Sequence, residues 1–386
     1  MEICIIAQVE PSQHKGGGKA QYFLAKEWSR QGHSVRLLGA DQLLTEFQSK
    51  GTQHAQLSEK EATTRFIEKN GAQYDIIDID HGLLTDTPLH LPRTLIVGRS
   101  VLFAAHRFQI TPPEKPKLKT RISRLLKRCL FRRGQTANES LHDLGRCLAQ
   151  ADLLNVTSKL DIAAAQSVGV PPSKVCRFPY ALNQQTIDNL AQAIAPSSSD
   201  TPHIAFLGTF DYRKGCLDTV QCFRKLRIQF PTLKLSLIGA KGMHQTEKEV
   251  RSFFNTEENQ HLSIYMTFAP DAIDELLARK HAAIFPSYFE GFPFAVQETL
   301  AAGIPTIAYD TPGAHDLLPP EWLVEAGDIN DMCAKISVMI MQPDRARRDQ
   351  AKSLIQQYNW QKISDETLKC YEAHLAQKKQ QAAPLS

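Results

Sequence analysis

The sequence predicts two doubly wound parallel-sheet α/β domains that face one another. Three observations carry this. Strand and helix patterns alternate through roughly the first half of the chain, pause, and start again near residue 203. The pause, residues 193–202, is a Ser/Pro-rich stretch without periodicity and reads as a linker. At 386 residues the chain is long enough for two ordinary domains, each with a sizeable core. Strands alternating with helical segments are the pattern of βαβ units and hence of a parallel sheet. We place the domains at 1–195 and 200–355, with a C-terminal helical segment at 356–386 that could pack back on the first domain.

The elements follow in order. Ile3–Ala7 is an apolar strand, followed by a glycine-rich loop, His14-Lys15-Gly16-Gly17-Gly18, and a helix from about Lys19 to Gln31. Strands are expected at Val35–Leu38, Asp75–Ile79 and Thr94–Val97, rich in the β-branched residues of buried parallel strands. Leu148–Asn155 reads as a strand that leads through a Ser/Thr cap into a helix. The second half restarts with strand His203–Leu207, then helix Gly215–Phe230 and strand Leu233–Ile238. A helix near Gln245–Phe254, strand Leu262–Thr267 and helix Asp271–Lys280 come next, and a further helical region lies around Asn330–Ile340.

Residues 284–313 are the most informative stretch. The apolar pair Ile284-Phe285 is ended by Pro286 and Ser287, Gly291 and Pro293 force a turn, and Phe294 to Ala302 are good helix formers. Gly303 stands where a helix stop is expected and Pro305 prevents continuation. A helix that begins just past the carboxyl end of a strand aims its unpaired backbone N–H groups at the crevice above the sheet, a ready anion site. Two acids join it, Glu290 in the turn and Glu298 on the helix. Phosphates want N–H donors and the positive helix end, whereas sugar hydroxyls want carboxylate acceptors. A nucleotide sugar offers both kinds of group. The same spacing also fits an ordinary βαβ unit with incidental surface acids.

The string PSYFEGFPFAVQETLAAGIPTIA, residues 286–308, resembles the signature of the family 4 retaining glycosyltransferases, also called glycosyl transferases group 1. The resemblance implies the GT-B fold, two facing Rossmann-like domains with an interdomain cleft. It implies that Glu290 faces the donor sugar, that Glu298 binds the ribose hydroxyls, and that the turn Gly291, Phe292, Pro293 and Phe294 approaches the diphosphate. MEICIIAQVE and GGGKAQYFLAKEWSRQGHSVRLL resemble the family's N-terminal signature. There Gly16, Gly17 and Gly18 would let backbone approach the donor diphosphate, since residues without Cβ permit close contact.

IAFLGTFDYRKGCLDTV resembles the family's second landmark. Lys214 fits its lysine, whose ammonium would neutralise the leaving diphosphate. The usual arginine is replaced by Thr209, which supplies neither charge nor a bidentate fork. Arg213 stands beside Lys214 as a substitute, although neighbours in an extended loop usually point apart. QYDIIDIDHGLL resembles the strand that ends in a histidine near the donor sugar, which makes His81 the third catalytic candidate with Lys214 and Glu290. Where the family usually has a further histidine, Arg99 and Ser100 occupy the loop and His106 lies farther along. Tyr180 and Ala181 replace its Asn-Gly. Asp78-x-Asp80 matches the metal motif of the other large glycosyltransferase fold, but without that fold's surroundings. We therefore expect no metal, and no cofactor beyond a nucleoside-diphosphate-sugar donor.

Composition bounds the alternatives. A formal net charge of +4 is modest for this length and argues against a dedicated nucleic-acid binder. Eight scattered cysteines, without a Cys-x-x-Cys pair, read as reduced thiols. The N-terminus lacks the pattern of a signal peptide, and no apolar run could span a bilayer, so the expected location is cytoplasmic. Residues 114–133 carry nine Lys or Arg with apolar positions on one helical face. Such a helix can lie on an anionic membrane surface, the inner face suiting a lipid-linked acceptor, or can simply pack its apolar stripe on the first sheet. The reading is a metal-independent retaining glycosyltransferase acting on a glycan, lipid-linked or small-molecule acceptor. The alternatives are a nucleotide-sugar epimerase, a catalytically silent nucleotide-sugar binder, and a membrane or partner adaptor on the same fold.

Overall fold

The computed structural model describes residues 1–12, 16–49, 57–108, 113, 137–197 and 199–382. The basic segment 114–133, read as a candidate membrane-surface helix, lies outside the described residues. The chain divides into two compact units. The first gathers Met1–Phe108, Ala137–Tyr180 and the chain from Trp360 onward, and the second contains Ala181–Asn359.

Each unit is built on a six-stranded sheet in which every pairing is parallel. In the first unit these are β1 (Glu2–Ala7), β2 (Ser34–Gly39), β3 (Ile76–Asp80), β4 (Leu95–Arg99), β5 (Leu153–Val156) and β6 (Val175–Arg177), in the order β2-β1-β3-β4-β5-β6. In the second they are β7 (His203–Leu207), β8 (Lys234–Ile238), β9 (Leu262–Tyr265), β10 (Ala282–Phe285), β11 (Thr306–Tyr309) and β12 (Leu323–Val324). Their order is β12-β11-β10-β7-β8-β9. Counted within the unit this is the dinucleotide-fold order 3-2-1-4-5-6, with its reversal between β7 and β10. The inner strands are buried along their whole length, as helices on both faces require.

The first unit is discontinuous in sequence. Helix Trp360–Gln381 lies with β4 and with helix Gly16–Arg30. Trp28 donates its indole N–H to the Ser364 carbonyl at 3.3 Å. Tyr371 reaches the interior, where its hydroxyl donates to Asp78 Oδ2 at 2.9 Å and accepts from Arg99 at 3.0 Å and Asn155 at 2.8 Å. Lys378 and Lys379 tie the same helix to Asp152 and Asp75.

Four expectations change. Gly16–Gly18 do not form a loop but the first turn of helix Gly16–Arg30. The reason is packing: a Cβ on Gly18 would stand 2.3 Å from the Glu10 carbonyl oxygen, so only glycine lets the chain leaving β1 cross the helix there. Residues 193–202 are bonded into the second unit, with the Ile194 carbonyl accepting from the Arg279 N–H at 2.7 Å and Asp200 ion-paired to Arg279. The helix expected near Gln245–Phe254 is reduced to Glu247–Arg251, started by a Thr246/Glu249 capping box. That expected over Asp271–Lys280 ends at Leu277, where Ala278 leaves the helical conformation with ψ 144° and Arg279 follows in the left-handed one, φ +56°. Among the described residues, no helix is long and apolar enough to cross a membrane. The seven described cysteines are free, Cys222 and Cys333 lying 3.1 Å apart at sulfur.

Candidate active site

In an open parallel sheet a ligand sits outside the carboxyl ends of the strands where the strand order reverses. In the second unit that point lies above β7 and β10, and the two loops leaving them carry the residues singled out by sequence. The loop after β7 is a coiled turn rather than an extended segment. Thr209 Oγ1 donates to Asp211 Oδ2 at 2.5 Å, and Asp211 Oδ1 accepts the Lys214 backbone N–H at 3.0 Å. Gly215 then caps helix Cys216–Gln229 in the left-handed conformation, φ +72°.

The two loops are locked together. The Arg213 carbonyl accepts from the Tyr288 N–H at 2.9 Å and from the Ser287 hydroxyl at 3.3 Å. A Cβ on Gly215 would lie 2.0 Å from the Pro286 carbonyl oxygen. Beneath the loops the buried Asp218 accepts the hydroxyls of Tyr288, at 2.5 Å, and Tyr309, at 2.9 Å. Gly215→Ala is therefore expected to cost at least about 1–2 kcal/mol through left-handed strain alone, with the clash adding to it. Urea unfolding measures the loss. A variant as stable as the parent would show that the two loops are not held this way.

The turn coils the chain so that Arg213 and Lys214 do not point apart. Lys214 Nζ lies 2.5 Å from Glu290 Oε1, and Arg213 Nη1 lies 2.7 Å from the same oxygen and 2.7 Å from the Phe289 carbonyl. Ser287 donates a third bond to that oxygen at 2.5 Å. Lys214 also stands over the Phe285 ring, 5.2 Å from its centroid. Burial presses the Lys214 ammonium below the ordinary lysine value, opposed by Glu290 and reinforced by Arg213. Burial alone would raise the Glu290 carboxyl, but the charges of Lys214 and Arg213 outweigh it and hold it below the usual carboxylate range. Glu290 and Asp211 thus balance the two cations.

The turn after Glu290 leads into helix Phe294–Ala301. Pro293 at its N-cap provides no side-chain bond, and no acid stands in its first turn, so its positive end is uncompensated by side chains. Gly313 backs this turn, since a Cβ there would lie 1.9 Å from the Gly291 carbonyl oxygen. Phe292 is buried and Glu298 is half-buried on the helix. The structure therefore brings Arg213, Lys214, Glu290 and the turn Gly291–Phe294 together, with Thr209 linked only through Asp211. Ser287, Asp211 and Asp218 were not singled out by sequence. Ser287 and Asp211 sit inside the two motifs, but no local pattern announces which side chains a loop will hold.

The first unit's candidates lie at its own reversal, between β1 and β3. Gly17 and Gly18 open the helix after β1. His81 follows β3 and is almost fully buried. Its Nε2 accepts the Ala104 N–H at 3.1 Å and its Nδ1 lies 3.3 Å from the Arg99 carbonyl, which places the proton on Nδ1 and occupies both nitrogens with backbone. The residues at the departing landmarks serve the interior. Arg99 pairs with Asp78 at 2.5 Å, His106 Nε2 meets Asp161 at 2.9 Å, and the Tyr180 hydroxyl donates to the Ser100 carbonyl at 3.1 Å. Of the Asp-x-Asp pair, Asp78 is held by Arg99 and Tyr371 and Asp80 accepts the Gly82 N–H at 3.0 Å. Among the described residues, no group of three or more His, Cys, Asp or Glu is arranged to hold a metal.

Two Rossmann-like parallel sheets in one chain, the second with loops at its reversal built around a lysine, an arginine and a glutamate, define the GT-B class of glycosyltransferase folds. Solved structures agree. Sucrose-phosphate synthase from Thermosynechococcus elongatus superposes with a TM-score of 0.71 over 97% of this chain and 99% of its own, at 16% identity. Anabaena HepE in complex with UDP and glucose gives 0.66 over 96% and 99%, at 14% identity. Residues 189–365 match the family described as glycosyl transferases group 1. A serotype-specific mannosyltransferase, WbdA of Escherichia coli, is 27% identical over 122 residues, 32% of this chain. The match spans only 15% of that relative's length.

Proposed function

We propose that this protein transfers a sugar from a nucleoside-diphosphate sugar with retention of anomeric configuration and without a metal. The observation that carries the reading is the convergence of Lys214 and Arg213 on Glu290 beside the uncapped start of helix Phe294–Ala301. A donor diphosphate would take over the two cations and the helix N-terminus, and Glu290, released from them, would hold sugar hydroxyls. Arg213 supplies the second positive charge that Thr209 lacks. Glu298 would accept from the ribose hydroxyls. Stabilising charge on the departing diphosphate is what the chemistry demands, and prepositioned cations do this without reorganisation. Gly16–Gly18 and His81 stay candidates, and His81 would act through a ring already oriented by two backbone bonds. The mannosyltransferase likeness and the UDP held by HepE support a nucleotide-sugar donor. A glycan, lipid-linked or small-molecule acceptor is the proposed partner.

The test is incubation with labelled UDP-, GDP- and ADP-sugars while nucleoside diphosphate release is followed. Release with one donor supports the reading, and silence with all of them counts against it. For Glu298→Ala we expect donor affinity to fall about tenfold or more, about 1.4 kcal/mol, at unchanged melting temperature. Unchanged affinity would remove the ribose assignment. One observation favours a second reading, a binder without transfer. Thr209 is turned onto Asp211 and replaces an arginine. Saturable donor binding without release would select it.

A further inference from the structure

The second unit holds a cavity of about 370 Å³ at the opposite edge of its sheet from the loops described above. His281 and Pro305, which line it, immediately precede β10 and β11, whereas the candidate active site follows the carboxyl ends of β7 and β10. Four residues of β10 separate the two edges, about 13 Å of strand. The rest of the wall comes mainly from the first turns of helix Arg345–Gln356, including Arg345, Arg347, Arg348 and Lys352.

Three of these four cations have carbonyl rather than carboxylate partners. Arg347 donates to the Gln342 carbonyl at 2.8 Å, Arg348 to the Ala302 carbonyl at 2.9 Å, and Lys352 to the Ala191 carbonyl at 3.2 Å. Of the acids on the wall, Asp344 caps the helix through the Ala346 N–H and Asp349 lies 3.7 Å from Arg345. Four cations thus face two carboxylates. His281, on the same wall, adds a donor. It is 5% exposed, and its Nδ1 accepts the His203 N–H at 3.3 Å, which leaves the proton on Nε2. No protein atom among the described residues accepts from Nε2. Burial keeps this imidazole below its ordinary value, so it presents a neutral N–H.

We propose that this cavity binds a small multivalent anion of the phosphate class, at a site separate from the donor site. An excess of cations in a concave wall concentrates the field on an anion, and the imidazole N–H on the same wall adds a neutral donor. The assignment does not rest on the proposed transferase activity. One consequence concerns the donor helix. Arg348 holds the carbonyl of Ala302, and a Cβ on Gly303 would lie 2.9 Å from Lys352 Cε, so the cavity wall grips the C-terminal end of helix Phe294–Ala301.

Inorganic pyrophosphate is the probe, titrated calorimetrically into the full-length protein carrying Arg213→Glu and Lys214→Glu, which reverses both cations of the candidate donor site, with Lys214→Glu alone run beside it. Saturable binding that weakens with added salt is expected. Adding Arg345→Glu and Arg347→Glu should weaken it about tenfold or more. Arg345 is 93% exposed, so Arg345→Glu alone serves as the second variant if the combination does not fold. Binding unchanged by the Arg345 and Arg347 reversals, or none in the protein carrying Arg213→Glu and Lys214→Glu up to about 10 mM, overturns the proposal. Loss of pyrophosphate binding through Lys214→Glu alone would place all anion binding at the donor site and has the same consequence.

Discussion

Lys214→Ala is expected to lower sugar transfer about 10²–10³-fold while leaving the protein folded. The magnitude is that of removing one prepositioned charge or donor from a site where negative charge develops. Lys214 is nearly enclosed, reaches Glu290 at 2.5 Å and is kept below its ordinary pKa chiefly by burial. Its removal leaves Glu290 with Arg213 and Ser287, both on the same oxygen, so the carboxylate is still satisfied and the loop should stand. The loss should appear in kcat more than in donor KM, because the charge on the leaving diphosphate grows as the bond breaks. Lys214→Arg should not restore full activity, since a planar fork does not fit where a compact ammonium sits over Phe285. Steady-state kinetics with the donor found by the sugar panel decides. An alanine variant within about twofold of the parent would remove Lys214 from the chemistry.

Asp78→Ala is expected to destabilise the protein by about 3–5 kcal/mol, the cost of leaving a buried charge without its partner. Asp78 is 1% exposed and accepts two bonds from the Arg99 Nε and one from its Nη2, so a fully enclosed guanidinium would lose its counter-ion. Tyr371 would lose an acceptor in the same step. Denaturant unfolding gives the magnitude. Hydrogen exchange should locate the change in β3, β4 and helix Trp360–Gln381. A loss below about 1 kcal/mol would mean that Arg99 finds another partner or reaches water.

The parts legible in the sequence were those set by local pattern. The apolar strand before Pro286, the helix from Phe294 and its stop at Gly303 read correctly because strand, turn and stop chemistry act over a few residues. Gly303 indeed adopts φ +70° just past the helix end. The glycines at 16–18 misled because glycine signals close approach as readily as a loop, and here the close approach is Glu10 crossing a helix. The shared direction of Arg213 and Lys214 depended on Glu290, 76 residues away from Lys214 in the chain. The role of Arg99 depended on Asp78 and Tyr371 from two other elements. Contacts of that separation leave no periodic trace.

Tyr371 carries one more consequence, for the order in which a ribosome delivers the chain. Domains ordinarily fold from the N-terminus as they emerge. Here the hydroxyl that completes the Asp78–Arg99–Asn155 network emerges only after the whole of Ala181–Asn359. The stretch Ala181–Asn359 is complete well before that point in synthesis, whereas the first unit must wait with a buried ion pair unfinished until translation is nearly done.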